Sequence, residues 1–221
     1  MHIPDGFLNP STAALLYAVA IAFLAWSWNK AKTGYPSSFV ALLAVSSAFV
    51  FAAQMINFPI AFGTSGHLVG GTLLAMLLGP YAAMLSMTIV LLMQALFFAD
   101  GGLLAFGANV FNMAVIGGLS FFLIKLLTRS SKSHRRFALS VFVASWVSVV
   151  LGALACALEI GVSQTFASAG GIEVTIPAML FSYSIIGLVE AAITTTLLTS
   201  LQRLQPTIMS GLTLLKARVK Q

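Results

Sequence analysis

Residues 67–99, HLVGGTLLAMLLGPYAAMLSMTIVLLMQALFFA, decide the fold of this chain. Without a break they would form one 33-residue apolar helix, whereas a bilayer is crossed by about 20 residues. Gly79-Pro80 interrupts the stretch, and both residues disfavour a helix interior. We therefore predict two helices, His67–Leu78 and Tyr81–Ala99, joined as a tight hairpin.

The rest of the chain repeats this alternation of apolar segments and breaks. Five further segments are Ser11–Trp28, Ser38–Ile56, Leu103–Leu127, Phe137–Ile160 and Ile176–Leu201. The chain is 59% hydrophobic and 7% charged, against about 25% charged residues in soluble domains. This composition excludes a soluble enzyme, a nucleic-acid binder and a disordered protein. Helices satisfy their own backbone hydrogen bonds in lipid, so the sequence predicts an all-α, polytopic membrane protein with seven transmembrane helices.

The charges predict the orientation of these helices. With the N-terminus outside, all 11 basic residues fall on the inner side, as the positive-inside rule requires. We therefore expect a cytoplasmic C-terminus in a multi-pass protein of a prokaryotic cytoplasmic (inner) membrane. Residues 1–221 are interpreted as one transmembrane domain, with an N-terminal segment 1–10, a bundle of about 11–201 and a tail 202–221. The single cysteine, Cys156, excludes an internal disulfide framework.

The first two residues can form a chelate. The start Met-His-Ile-Pro-Asp-Gly is not a signal peptide, which would begin with basic residues, so we expect a free α-amine at the outer face. That amine, the amide nitrogen of His2 and His2 Nδ1 can close two fused rings in one plane. Ni²⁺ and Cu²⁺ favour such square-planar nitrogen sites, whereas Zn²⁺ prefers a tetrahedron. The sequence thus predicts a divalent transition metal, with Co²⁺ as a further candidate.

A square plane needs a fourth nitrogen, and the chain has three histidines. His134 lies in the inner basic loop, but His67 begins an apolar segment at the outer face. Residues 3–10 can span roughly 25 Å if extended, and Pro4-Asp5-Gly6 favours a turn back towards the bundle. The alternative interpretation is that His67 makes an ordinary hydrogen bond inside a membrane helix.

Four short stretches resemble the CbiM/NikM family, the substrate-capture (S) components of energy-coupling-factor (ECF) transporters for cobalt and nickel. They are Met1–Leu8, Ser65–Gly71, Phe98–Gly102 and Gly107–Met113. The resemblance implies six core helices plus an added N-terminal helix. It also implies a metal held by Met1 (amine), His2 (amide and imidazole) and His67.

Other polar and small residues are weaker candidates. Metal-bound imidazoles usually donate their second N–H to an acceptor, for which we consider Asp5, Gln94, Asn109 and Asn112; interhelical hydrogen bonding is the alternative. In the resembled family an alanine-rich face docks onto the transmembrane T component, which indicates Ala44, Ala48 and Ala52, with packing inside the subunit as the alternative. Glu190 lies deep in the last segment, where an ionisable group suggests a function: it could face a partner subunit, or be neutral and hydrogen-bonded to nearby Ser or Thr.

The chain has no phosphate-binding loop of the G-x-x-x-x-G-K-[ST] type. We therefore expect a non-enzymatic transporter subunit that binds Ni²⁺ or Co²⁺ as transported ligand and needs no cofactor. The square plane favours Ni²⁺. The resemblance implies a T component, ABC-type ATPases that hydrolyse ATP and, in many members, a small accessory membrane protein. The alternatives are an autonomous secondary divalent-metal carrier, a vitamin-capture S component and a non-transport scaffold.

Overall fold

The fold was examined in a computed structural model, which describes residues 1–32, 37–60, 65–129, 133–164 and 166–204. Seven apolar helices follow one another along these residues. They are α1 (Pro10–Ala31), α2 (Ser37–Gln54), α3 (Gly71–Leu78), α4 (Pro80–Phe98), α5 (Phe106–Thr128), α6 (His134–Val162) and α7 (Ile172–Leu204). The predicted all-α membrane class is confirmed, and the predicted tail lies outside the described residues from residue 205 onward.

The predicted break between α3 and α4 is confirmed. Gly79 has φ 80° and ψ 161°, and Pro80 begins α4 at the first helical position, which proline favours. The expected start of the third span at His67 is wrong, because the helix begins only at Gly71. Eight residues rise about 12 Å, well short of a hydrocarbon core of about 30 Å. Thus α3 by itself cannot cross a bilayer.

Five helices are long and apolar enough to cross a membrane: α1, α4, α5, α6 and α7. The apolar part of α2, Phe39–Gln54, is slightly shorter. The number of complete crossings and an outward N-terminus therefore stay predictions, and α3 contributes a crossing only together with the loop that precedes it.

The core lies where α3 enters the bundle. All eight residues of α3 are buried, between α4, α5 and α6. At the crossing of α3 and α5, a Cβ on Gly71 would lie 2.7 Å from the Cα of Gly117. Only glycine allows this approach of two helix backbones. Because α3 is buried, the loop that precedes it ends deep inside the bundle.

Three non-helical segments meet at one end of this core. They are residues 1–9, a loop with a two-residue antiparallel pairing of Phe58–Pro59 with Ser65–Gly66, and the connection between α4 and α5. Residues Val110–Val115 of α5 form a π-helical turn, a feature that often marks functional sites. The remaining regular element, a 3-10 turn at Ala167–Ala169, lies before α7.

Candidate metal centre

The N-terminal segment enters the bundle and is buried there. Met1 and Ile3 are 0% exposed and His2 is 3% exposed. The predicted turn follows: Gly6 has φ +88° and Phe7 N–H donates to Pro4 O at 3.4 Å. Thereafter Asn9 caps α1 by accepting from Thr12 N–H at 2.8 Å. The first three residues are thus inside the protein while the chain returns to the surface at Pro4.

Backbone and side-chain bonds hold this segment in place. Asn109 brackets Ile3, since its Oδ1 accepts from Ile3 N–H at 2.7 Å and its Nδ2 donates to Ile3 O at 3.1 Å. Gly102 N–H donates to the same carbonyl at 2.8 Å. Asp5 Oδ1 accepts from Leu104 N–H at 2.7 Å. The segment is therefore fixed against the connection between α4 and α5 and against the start of α5.

The structure brings Met1 and His67 together. The Met1 nitrogen lies 2.6 Å from His67 Nε2 and 2.7 Å from Ser65 O, and it also contacts Tyr183 Oη. His67 Nδ1 lies 2.9 Å from Leu68 O. Because a carbonyl only accepts, Nδ1 carries the proton and Nε2 turns its lone pair towards the amine.

The two imidazoles lie together and have different partners. The rings of His2 and His67 stack with centroids 4.5 Å apart and planes inclined by 23°. His2 Nε2 lies 3.1 Å from Gln94 Oε1, and His2 Nδ1 lies 3.2 Å from Asp100 Oδ1. Gln94 Oε1 and the Asp100 carboxylate both accept, so a neutral His2 ring donates its one proton to either of them; with the proton on Nε2, Nδ1 is free to bind a metal.

Burial keeps the Met1 amine and both imidazoles uncharged. It lowers the pKa of the Met1 amine from 8.0 to about 5. It also lowers the pKa of His2 below 6.5 and that of His67 well below 6.5, where the nearby amine acts in the same direction. Burial raises the pKa of Asp100, but the hydrogen bond and charge of His2 outweigh it and leave that pKa below 3.8. The site therefore holds neutral nitrogen donors beside one carboxylate.

The candidates for hydrogen-bonding the imidazoles behave differently. Only Gln94 has a described bond to an imidazole. Asp5 and Asn109 bind backbone groups instead, and Asn112 Nδ2 donates to Glu159 Oε2 at 2.7 Å. The expectation that Asp5, Asn109 and Asn112 serve the imidazoles therefore finds no support in the described contacts.

Sequence reasoning missed two groups at this centre. Asp100 lies within the stretch Phe98–Gly102, and nothing in the sequence indicates that it faces His2. Tyr183 lies more than a hundred residues along the chain from Met1, His2 and His67 and is fully buried beside Met1. No local spacing marks such a residue, although a tyrosine within an apolar span needs a partner for its hydroxyl. Within the described ranges, no three His, Cys, Asp or Glu side chains form a metal-sized group.

The alanines predicted to dock a partner point out of the bundle. Ala44, Ala48 and Ala52 are all exposed on α2. The alternative that they pack within this subunit is therefore wrong for the chain by itself. They form a row of small side chains on a helix surface, available to lipid or to another protein.

Comparisons with known proteins find relatives among metal transport proteins. The family model CbiM, described as the cobalt uptake substrate-specific transmembrane region, matches residues 2–208. A fused nickel transport protein NikMN of Rhodobacter capsulatus is 37% identical over 222 residues. The match covers 95% of this chain but 64% of that protein.

Solved structures show the same fold. A crystal structure of a truncated transition metal transporter is 37% identical, with a TM-score of 0.84, over 92% of this chain and 99% of that one. The S component of a bacterial ECF transporter aligns with a TM-score of 0.55 over 75% of this chain and 96% of that one. Its identity is 16%, so it supports the likeness of fold alone.

Proposed function

Because the chain belongs to the CbiM family of cobalt uptake substrate-specific transmembrane regions, we propose that it is the metal-binding membrane subunit of a nickel or cobalt importer. The observation that carries this proposal is the buried meeting of the Met1 nitrogen and His67 Nε2, 2.6 Å apart. Two buried nitrogens with lone pairs at this distance can supply two of the four ligands of a square-planar metal site. The NikMN relative is named as a nickel transport protein, and the family model is described as a cobalt uptake region. Both descriptions support nickel or cobalt as the ion.

The spacing of these nitrogens supports a square plane. With metal–nitrogen bonds of about 2.0 Å, adjacent ligands in a square plane lie about 2.8 Å apart. The Met1 nitrogen and His67 Nε2 are close to that separation. The amide and Nδ1 of His2 complete the set through covalent rings. Four nitrogen ligands in a plane suit Ni²⁺, and this geometry favours Ni²⁺ over Co²⁺.

Binding proceeds by exchange of hydrogen bonds for metal bonds. The Met1 amine gives up its contact with His67 Nε2, and both lone pairs turn to the ion. His2 Nδ1 leaves Asp100 for the ion, while Nε2–H keeps its bond to Gln94 and orients the ring. The amide N–H of His2 gives its proton to the solvent, so that the amide nitrogen can bind the ion. Metal binding therefore releases protons and weakens in acid.

Energy for transport comes from partners. Membership of the CbiM family supports a T component and ABC-type ATPases as partners, with ATP-driven tilting of this subunit opening the site inward. The exposed row Ala44, Ala48 and Ala52 is the proposed docking face for the T component, because small residues let helices approach closely. The native N-terminus is essential to this account, since the amine is a ligand.

Uptake into proteoliposomes tests the proposal. The chain carrying a C-terminal tag and native Met1 is reconstituted with and without its T component and ATPases. We expect radioactive nickel uptake only with all partners and ATP, and none for His2→Ala. Uptake by the chain alone, driven by an ion gradient, would instead establish a secondary carrier. Tight binding of a vitamin with no bound metal would indicate a vitamin-capture component.

A further inference from the structure

Both carboxylate oxygens of Glu190 accept hydrogen bonds, although this residue lies within an apolar helix. Glu190 is 1% exposed on α7. Its Oε2 accepts from Val69 N–H at 2.6 Å and its Oε1 accepts from Gly70 N–H at 2.8 Å. These amides end the segment Ser65–Gly70, called here the His67 loop, and precede the N-terminus of α3. Gly70 brings no side-chain cap to α3, and the carboxylate of Glu190 lies beside the start of this helix, where a negative charge is favourable.

Two further groups hold the His67 loop. Tyr183 lies seven residues before Glu190, on the same face of α7, and its hydroxyl donates to Ser65 O at 2.5 Å. Gln54 of α2 donates through Nε2 to Val69 O at 2.7 Å. The loop is therefore bound at both ends by α7, and the residue Val69 is held through both its N–H and its carbonyl oxygen.

The imidazole of His67 follows the backbone of this loop. Its Nδ1–H donates to Leu68 O, the carbonyl just before Val69. The peptide between Leu68 and Val69 therefore supplies the carbonyl that orients the ring and the N–H that Glu190 binds. Moving this peptide would turn His67 Nε2 away from the Met1 nitrogen.

We propose that Glu190 is a positioning residue for the metal site: its bonds to Val69 and Gly70 aim His67 Nε2 at the ion. This inference rests on the proposed function, because the ligand it positions is the fourth nitrogen of the square plane. Glu190 does not touch the ion. Its carboxylate acts through one peptide and one imidazole.

Nickel binding by purified full-length variants tests this role. Glu190→Gln keeps the size and one acceptor oxygen, and Glu190→Ala removes both acceptors. Thr194→Val is the matched control, since Thr194 lies one turn further along α7 with the same 1% exposure. The measurements are the Ni²⁺ affinity by calorimetry, the visible spectrum at saturating Ni²⁺ and the melting temperature.

We expect Glu190→Ala to weaken Ni²⁺ binding by about 10- to 100-fold, the usual effect of losing an outer partner of a metal ligand. Glu190→Gln should lie between this protein and the original chain. At saturation both spectra should shift from the four-nitrogen form, because His67 leaves the plane. Thr194→Val should retain both affinity and spectrum. Glu190→Gln keeps the test decisive if the alanine protein does not fold.

An unchanged affinity and spectrum in Glu190→Gln would overturn the inference. So would a lower melting temperature with an unchanged spectrum at saturation, because that result describes a purely structural residue. Failure of the original chain to bind Ni²⁺ would instead overturn the proposed function. The two failures are therefore distinguishable within one set of proteins.

Discussion

Acidification should release the N-terminal segment from the bundle. The Met1 amine has a pKa of 8.0 when free and about 5 when docked, so the docked state binds fewer protons. By linkage, docking is unaffected well above pH 8, weakens as the pH falls below 8, and reaches its full loss below pH 5. Lowering this pKa from 8.0 to about 5 corresponds to about 4 kcal/mol in total.

The change in docking free energy between pH 8 and pH 6 follows from the same two pKa values. Going from pH 8 to pH 6 favours the released state by about 2 kcal/mol, a change of about 45-fold in the docking equilibrium. His2 and His67 add to this effect, because their pKa values are also lowered by burial. About 45-fold is thus the lower bound that this account gives.

Hydrogen exchange of the metal-free protein in detergent measures this equilibrium. The amide of Ile3 is bound to Asn109 only when the segment is docked. We expect its protection factor, corrected for intrinsic exchange, to fall at least about 45-fold from pH 8 to pH 6. Buried amides of α6, such as Ala153, serve as the control and should stay protected. Constant or increasing protection of Ile3 in acid would refute the burial of a neutral amine.

Three substitutions give further expected outcomes. Asn109→Ala leaves the buried Ile3 N–H without its acceptor, which costs about 1–3 kcal/mol; calorimetry should show roughly tenfold weaker Ni²⁺ binding, and undiminished affinity would contradict this role. Gly102→Ala places a Cβ 2.2 Å from Asp5 Oδ1, so limited proteolysis should cut residues 1–9 faster. An unchanged cleavage rate would mean that the close approach of Gly102 to Asp5 is not needed for docking. Ala48→Leu adds bulk on the exposed face of α2; co-purification with the T component should fall while Ni²⁺ affinity stays constant, and intact co-purification would remove this face as the interface.

The fold was largely predictable because its signals are local. Each apolar segment has its own breakers, and Gly79-Pro80 separates α3 from α4 as expected. The length of α3 was not predictable in this way. Residues 67–70 continue the apolar stretch of α3 in the sequence. In the structure, however, Gly70 adopts φ +75° and the loop is held by hydrogen bonds to α2 and α7.

The site was predictable only where covalent geometry limits it. The chelating order of Met1 and His2 is fixed by two consecutive residues, and few histidines remain to complete it. Hydrogen-bond partners are chosen by packing between distant helices. Asn109 and Asn112 illustrate this: they are three residues apart, yet the π-helical turn begins between them and their partners are Ile3 and Glu159.

The central claim is that the Met1 nitrogen is a metal ligand, and a two-residue extension tests it most directly. The chain with native Met1 and the same chain with two glycines inserted before Met1 are purified through a C-terminal tag and titrated with Ni²⁺; a single added glycine is avoided because Gly-Met-His would itself form a four-nitrogen chelate. We predict one tightly bound Ni²⁺ per native chain, with the four-nitrogen visible band. The extended chain should bind at least about 100-fold more weakly, since its amine can no longer close the chelate. Equal affinity and an unchanged band in the extended chain would contradict the account.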